Sequence, residues 1–401
     1  MADHAAILRA ATATAHSSDE ALSSVAPENR IHALDAVRGV ALVGVLGVNV
    51  VTAFRISIFA QFLPATGVAP GLDGAIESVV AFAFEMKAFS LFSILFGIGL
   101  AIQLDRLART GRPFYFLTRR LLALLAFGLV HLLLIWNGDI LTEYAVAGLI
   151  VLPLLRLHRS SLGAAAAGML LLYAVLALFP PLMALPPLDA LADHVDRAGA
   201  VYSNGSFAEI LRFSTHEIPL LIPLHVNILP RTLGLFLFGA WVWRWGVLRH
   251  LRDNAGLFSG VAVIGALAGA GFYGANTPFL RVLAPIMLAA CYGCVVIRIA
   301  MIDGSRRFLA PFAAIGRMAF TNYILHSMIF GFVFMGYGFG LFGKIGPGSA
   351  FLLVVLVYSL QALFSSIWLR NFRFGPLEWL WRTITYNQAQ PMRLLTKEFS
   401  R

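Results

Sequence analysis

Runs of about 20 apolar residues recur from Gly39 almost to the C-terminus, and only short polar stretches separate them. A run of that length is what an α-helix needs to cross roughly 30 Å of hydrocarbon. The pattern predicts about ten spans, at residues 39–59, 78–103, 118–137, 139–156, 161–184, 227–246, 257–274, 280–301, 316–341 and 349–369. The expected fold class is therefore all-α, a polytopic integral membrane protein. No soluble domain fits between the spans.

The polar stretches divide the rest. Residues 1–29 are rich in Ala, Ser and His and lack the apolar core of a signal peptide, so they read as a disordered cytoplasmic tail ahead of an uncleaved first span. The transmembrane domain is then 30–369. Residues 370–401 form a cytoplasmic C-terminal segment, in which Arg370 to Tyr386 mixes arginine with Trp379, Trp381 and Tyr386 as an interfacial helix would. On the other side lie a loop near 60–77, a tight turn at Asn137–Asp139, and a segment at about 185–226 holding Pro186, Pro187, His216 and His225. That last segment reads as a lid on the outer surface.

Charge sets the orientation. Alternating the chain through ten spans puts roughly 23 of the 30 basic residues on one side, about six on the other, and Lys87 within a span. Lys/Arg excess marks cytoplasmic loops, so both termini are expected inside. The net charge of +10 thus reflects membrane topology, and its short clusters do not form a nucleic-acid surface. Only 12% of residues are charged against 59% hydrophobic, which again fits lipid as the solvent. Cys291 and Cys294 lie in an apolar run and read as packing residues, and Gly265, Gly269, Gly336, Gly338 and Gly340 as close helix contacts. No group has the spacing of a metal site.

An ionisable side chain in mid-span costs about 2.5–3.5 kcal/mol, so each needs a reason. The first span carries Asp35, Arg38 and Asn49; Arg38 and Asn49 are eleven residues apart, hence on one face with roughly 16 Å of rise between them. The third span repeats the spacing with Arg120 and His131. His131 is followed by Asp139, Glu143 and Tyr144, and a histidine beside carboxylates is the apparatus of a general base. The plain alternatives are a positive-inside anchor for Asp35 and Arg38, a packing amide for Asn49, and an N-cap for Asp139. Lys87 is expected to face the same polar interior as His131, or else to snorkel outward. In the ninth span Arg317 precedes Asn322, Tyr323 and His326, of which Asn322 and His326 share a face.

Several of these residues sit in motifs that resemble the YeiB-like membrane proteins. They are Leu34-Asp35-Ala36-Val37-Arg38-Gly39 ending with Asn49, Leu91-Phe92-Ser93-Ile94-Leu95-Phe96-Gly97, Gly138-Asp139-Ile140-Leu141 with Tyr144, Gly316-Arg317-Met318-Ala319-Phe320-Thr321-Asn322-Tyr323, and Phe372-Arg373-Phe374-Gly375-Pro376-Leu377-Glu378-Trp379. That group is similar to the transmembrane acyltransferases, among them heparan-α-glucosaminide N-acetyltransferase and the acyltransferase-3 proteins. The heparan enzyme's catalytic histidine follows its first core span, whereas here no histidine lies between Asn49 and His131.

The resemblance implies an acyltransferase in a bacterial inner membrane, using acyl-CoA, acetyl-CoA foremost, and no metal. The acceptor would be a hydroxyl or amine on an extracytoplasmic glycan, lipid or small molecule. On this expectation Arg38, Arg120 and Arg317, with Asp35, hold the donor. His131 deprotonates the acceptor, Asp139 or Glu143 orients it, and Asn49 or Lys87 stabilises the oxyanion. Asn322, Tyr323, His326 and His225 contact substrate. Expected partners are membrane lipids, acyl-CoA and that acceptor, with a homodimer allowed for. A transporter or exporter of a small metabolite or lipid, or a non-catalytic membrane partner, is the alternative.

Overall fold

The computed structural model describes residues 32–64, 71–179 and 186–394. The expected N-terminal tail and residues 395–401 lie outside that range. The described residues form α-helices and short 3-10 and π turns, with one isolated β-bridge, Phe372 to Arg393, and no strand.

In chain order the helices are α1 (His32–Asn49), α2 (Gly71–Ala83), α3 (Lys87–Leu107), α4 (Pro113–Leu134), α5 (Leu141–Leu154), α6 (Arg159–Leu176) and α7 (Leu188–Asn204). They continue with α8 (Phe207–Trp245), α9 (Ala255–Gly274), α10 (Ala284–Ala300), α11 (Ser305–Arg317), α12 (Ala319–Phe334), α13 (Pro347–Asn371) and α14 (Pro376–Tyr386). Proline opens α4, α13 and α14, where its missing N–H costs nothing. Among the described residues, eight helical segments are long and apolar enough to cross a membrane. Their outward faces carry side chains such as Leu267 and Leu352, both 70% exposed, as lipid contact requires. The protein is thus an all-helical, multi-pass membrane protein.

The departures from the ten expected spans each have a physical cause. The expected ninth span is broken: α11 and α12 meet at an angle of 77°. The fourth, α5, has only 14 residues, because the chain enters it through a tight turn already inside the bundle. The expected second span starts earlier and is interrupted after α2, where Met86 takes a left-handed conformation with φ 61°. The expected lid segment is helical, built from α7 and the start of a longer helix. Residues 207–226 are the first half of α8, one helix of 39 residues that continues into the membrane. A capping box between Ser206 and Glu209 starts it. At about 58 Å it is far longer than the hydrocarbon is thick, so its first half stands clear of the span and packs on α7.

Hydrogen bonds and ion pairs join the loops into two opposed faces. On one, Asp105 at the end of α3 takes Arg249 at 3.0 Å and the Trp243 indole at 2.8 Å, and Arg119 donates to the Ile384 carbonyl at 2.7 Å. On the other, Asp73 accepts from the Gly348 amide at 2.8 Å, Gly343 donates to the Arg55 carbonyl at 2.8 Å, and Gly336 to the Tyr202 carbonyl at 2.8 Å. The arginine-rich loops fall on the first face.

The glycines of the sequence motifs are crossing points. A Cβ on Gly39 would meet the Phe312 carbonyl and one on Gly316 the Asp35 carbonyl, so α1 and α11 approach backbone to backbone. Gly97 and Gly239 do the same for α3 and α8 against the Phe236 and Ile94 carbonyls. Arg38 threads the first crossing, reaching Asp35 at 3.1 Å and the Gly316 carbonyl at 3.3 Å.

The last motif explains itself against the fourth. The break at Met318 leaves the N-terminal amides of α12 without helical partners. Glu378 supplies them: it accepts from the Phe320 and Thr321 amides at 2.8 and 3.0 Å and from the Thr321 hydroxyl at 2.5 Å. Trp381 donates to the Arg120 carbonyl at 2.8 Å. Glu378 and Trp381 thus tie the C-terminal helix α14 to α12 and α4.

Candidate functional site

α4 ends in a six-residue turn, residues 135–140, and this turn builds the site. Gly138 packs against the Trp136 ring so tightly that a Cβ there would overlap it, and Trp136 stacks on Phe54 with centroids 4.1 Å apart. The chain then reverses and α5 begins. Asp139 accepts from the Leu141 amide at 3.1 Å and the Thr142 amide at 2.7 Å, so the expected capping role holds. Its Oδ1 also lies 2.9 Å from His131 Nδ1, and both side chains are fully buried. The carboxylate sits off the ring N–H direction, so the contact is an ion-pair distance rather than an aligned hydrogen bond. His131 Nε2 has no hydrogen-bond partner among the described residues.

Beside the pair stand two more expected residues, Tyr323 and His326. The Tyr323 ring centroid is 5.1 Å from that of His131 and 5.2 Å from that of His326, so two imidazoles flank one phenol. The Tyr323 hydroxyl accepts from the Ile140 amide at 3.4 Å. His326 is fully buried, and neither ring nitrogen has a hydrogen-bond partner among the described residues. Asn49 is buried with no side-chain hydrogen bond among the described residues, on the α1 face that carries Val45 and Leu46. Val45 shares a core cluster with Tyr323, and Leu46 shares one with Phe330 and Trp136. Directly after Asn49 the helix widens into a π turn, Val50–Phe54, a distortion common at functional sites.

Other expected residues lie elsewhere. Lys87 does not face His131. It is the first residue of α3, and its long stem folds back so that Nζ donates to the Ala81 carbonyl at 3.1 Å and lies 4.8 Å from the Tyr273 ring centre. Glu143 is held by His225 at 3.0 Å and by the Thr232 hydroxyl at 2.5 Å, both on α8. It and His225 thus form a second pair, one turn from Asp139 and distinct from it. Asn322 turns to α13, donating to Ser365 at 2.9 Å, while Gln361 donates to its backbone carbonyl at 2.9 Å. It braces the broken span.

The arginines divide as well. Arg120 stacks on Trp381 at 3.5 Å, within electrostatic reach of Arg38, Arg382 and Glu378. Arg317 lines a separate recess of about 820 Å³ with Arg249, Arg252, Arg306 and Arg370. Asp35 serves Arg38. All of these lie toward the arginine-rich face, while His131 is eleven residues, roughly 16 Å, further along α4 than Arg120.

Three functional-looking groups escaped sequence reasoning. Glu217 is 1% exposed, and its carboxylate accepts from Asn137 at 2.6 Å, from the Tyr202 hydroxyl, and pairs with His194 at 2.8 Å. Burial beside this carboxylate pushes the Tyr202 phenol well above its ordinary range. Arg231 was counted among the outer basic residues but is buried inside the bundle, with Nη1 against the Met86 sulfur at 3.3 Å. Glu378 is the third; burial pushes its carboxyl upward against the pull of the Thr321 and Phe320 donors. For Glu217 and Arg231 the only signal was an ionisable residue within an apolar helical run.

Fold and site together define a polytopic helical membrane protein with a sealed histidine–aspartate pair. Residues 242–388 match the family described as Protein of unknown function (DUF418). Over its length the chain is 31% identical to "Uncharacterized protein YxaH" of Bacillus subtilis (strain 168), an alignment covering 94% of this chain and all of the relative. It is 30% identical to "Uncharacterized protein YeiB" of Escherichia coli (strain K12), covering 89% of this chain and 97% of that one. It is 28% identical to "Uncharacterized 39.9 kDa protein in amylase 3'region" of Bacillus acidopullulyticus, covering 94% and 99%. The chain belongs to the DUF418 family of YeiB-like proteins.

Proposed function

We propose that the protein is a membrane-embedded acyltransferase. It moves an acyl group, acetyl foremost, from acyl-CoA at the arginine-rich face to a hydroxyl or amine presented from the opposite face. The reading rests on His131: a buried imidazole with a carboxylate 2.9 Å from one nitrogen, and no hydrogen-bond partner on the other among the described residues, has a nitrogen free to take a proton.

In this reaction the acceptor's O–H or N–H proton passes to His131 Nε2 as its lone pair attacks the thioester carbonyl. The C–S bond then breaks, the proton returns to the departing thiolate, and acylated acceptor and CoA thiol leave. In this scheme the Asp139 carboxylate faces the charge that forms on the ring as the proton moves, and Asn49 donates to the developing oxyanion. Arg38 and Arg120 on the inner side of the bundle, and Arg317 in its recess, offer guanidinium groups to the donor's phosphates. Lys87 has no part in this scheme. The arginine-rich face is then cytoplasmic by the charge bias, and the membrane is the bacterial plasma membrane.

The broken span favours a second reading. A discontinuous helix with a carboxylate at its inner N-terminus and unpaired polar atoms on His326 and Asn322 is also the apparatus of a transporter. Purified protein incubated with acetyl-CoA separates the two. Release of free thiol that disappears in His131→Ala supports transfer. A His131→Ala protein as active as the wild type removes this mechanism, and no thiol release together with solute flux in liposomes establishes the transporter.

A further inference from the structure

α7 and the first half of α8 form a helical hairpin around Gly205, and the groove between them is a cavity of about 650 Å³. Its polar lining is His194, Arg197, Asn204, Glu209, Arg212 and His216. The carboxylates here are already engaged. Glu209 accepts from the Ser206 amide and hydroxyl at 2.8 and 2.7 Å, and Glu217 behind the wall is shared by Asn137, Tyr202 and His194.

The cations are not engaged in the same way. Among the described residues Arg197 donates only to the Asp193 carbonyl at 3.3 Å, Arg212 makes no hydrogen bond, and neither has a carboxylate within 4 Å. Arg212 faces Glu209 at longer range, and its own carbonyl takes His216 at 2.7 Å. The groove therefore presents two guanidinium groups with their donors unspent, whose planar forks match a carboxylate or phosphate.

Hydrogen bonds link the wall of this cavity to the turn that carries the buried pair. His194 contacts Glu217, Glu217 takes the Asn137 amide, and Asn137 stands two residues before Asp139 in the same turn. The groove lies on the face opposite the arginine-rich loops, since Gly336, next to the Asn204–Gly205 corner, belongs to the turn that ends α12 there.

We infer that the α7–α8 groove binds a small molecule carrying a carboxylate or phosphate, held by Arg197 and Arg212, and that this is the acceptor. The word acceptor rests on the acyl-transfer reading; the ligand's chemistry does not. Titration calorimetry of the purified protein tests it with glucose 1-phosphate, dihexanoylphosphatidylglycerol and glucose as probes. An exposed Arg281→Gln variant on the same face serves as control.

The expected result is saturable binding of at least one phosphate probe, weakened about tenfold or more in the Arg197→Gln/Arg212→Gln protein and unchanged in Arg281→Gln. Which phosphate probe binds tells a soluble ligand from a lipid headgroup. Binding that survives the double substitution, binding of glucose as tight as that of the phosphates, or no binding by any probe overturns the inference. His131→Ala should bind the probe normally. If it does so while wild-type protein releases no thiol from acetyl-CoA, the groove stands and the acyl-transfer reading falls.

Discussion

Of the bundle's histidine–carboxylate pairs, Glu217–His194 and His131–Asp139 have opposite hydrogen-bond economies. Glu217 meets three donors from two elements, Asn137 in the turn before α5 and Tyr202 and His194 on α7, and its histidine stacks on Phe213, so every group there is spoken for. His131 and Asp139 are just as buried, yet their contact is poorly aligned and one imidazole nitrogen is left bare. A buried polar atom without a partner costs about 1–3 kcal/mol, and a fold that fully satisfies one pair had the means to satisfy the other. Retaining the deficit at His131 fits a site that keeps its bonding capacity for a substrate. The Glu217 network instead holds the turn that carries Asp139.

Substitutions that attack each pair sharpen this contrast. The largest expected effect is on chemistry: Asp139→Asn should lower the rate of acyl transfer by about 10²–10⁴. The amide oxygen still caps α5, so the melting temperature in detergent should move little. A variant that unfolds instead would make Asp139 a structural residue like Glu217. Glu217→Leu should do the reverse, costing about 3 kcal/mol of stability by stranding Asn137, Tyr202 and His194 without a carboxylate. Activity per folded molecule should fall less than in Asp139→Asn. A Glu217→Leu protein as stable as the wild type would remove the bracing role.

Next in size is Glu378, which caps the broken span. Glu378→Ala should cost about 1–2 kcal/mol by exposing the Phe320 and Thr321 amides. The pH dependence has a definite sign. Because burial raises its pKa, the folded protein keeps this proton to higher pH than the unfolded chain does. That favourable contribution is complete below the ordinary carboxylate range and is lost as pH rises through the raised value. The stability gap between wild type and Glu378→Gln should therefore shift against the wild type as pH is raised from about 4 toward neutrality, and thermal unfolding across that range checks it.

The membrane architecture was legible because twenty-residue apolar runs and the arginine bias are one-dimensional signals. His131 and Asp139 were legible for a similar reason: a span followed by a turn of few residues must bring its last histidine back beside the turn. Glu217 was hidden because its partner Asn137 lies 80 residues away, and a carboxylate on the first half of α8 reads as solvated. The double function of Glu378 could not be seen either. Only the 77° break creates the amides it caps, and nothing in Arg317-Met318-Ala319 announces a break.

Lys87 is the smallest and most discriminating test. Read as part of one span from 78 to 103, it falls deep in the membrane and needs a polar interior to face. The left-handed Met86 ends α2 and restarts the helix at Lys87, so the ammonium turns back onto the Ala81 carbonyl and the Phe82 and Tyr273 rings. This is a third solution for a buried ionisable group: its charge is met by a dipole and two π faces rather than by a carboxylate or a ligand. Lys87→Met keeps the stem's length and removes both the charge–π attraction and the cost of burying the charge, two terms of opposite sign. The net change in stability should be under about 1 kcal/mol, with acyl transfer within about twofold of wild type. A tenfold loss of transfer at unchanged stability would mean that Lys87 reaches the His131 pair during turnover, and the line drawn between satisfied and reactive buried groups would have to be moved to include it.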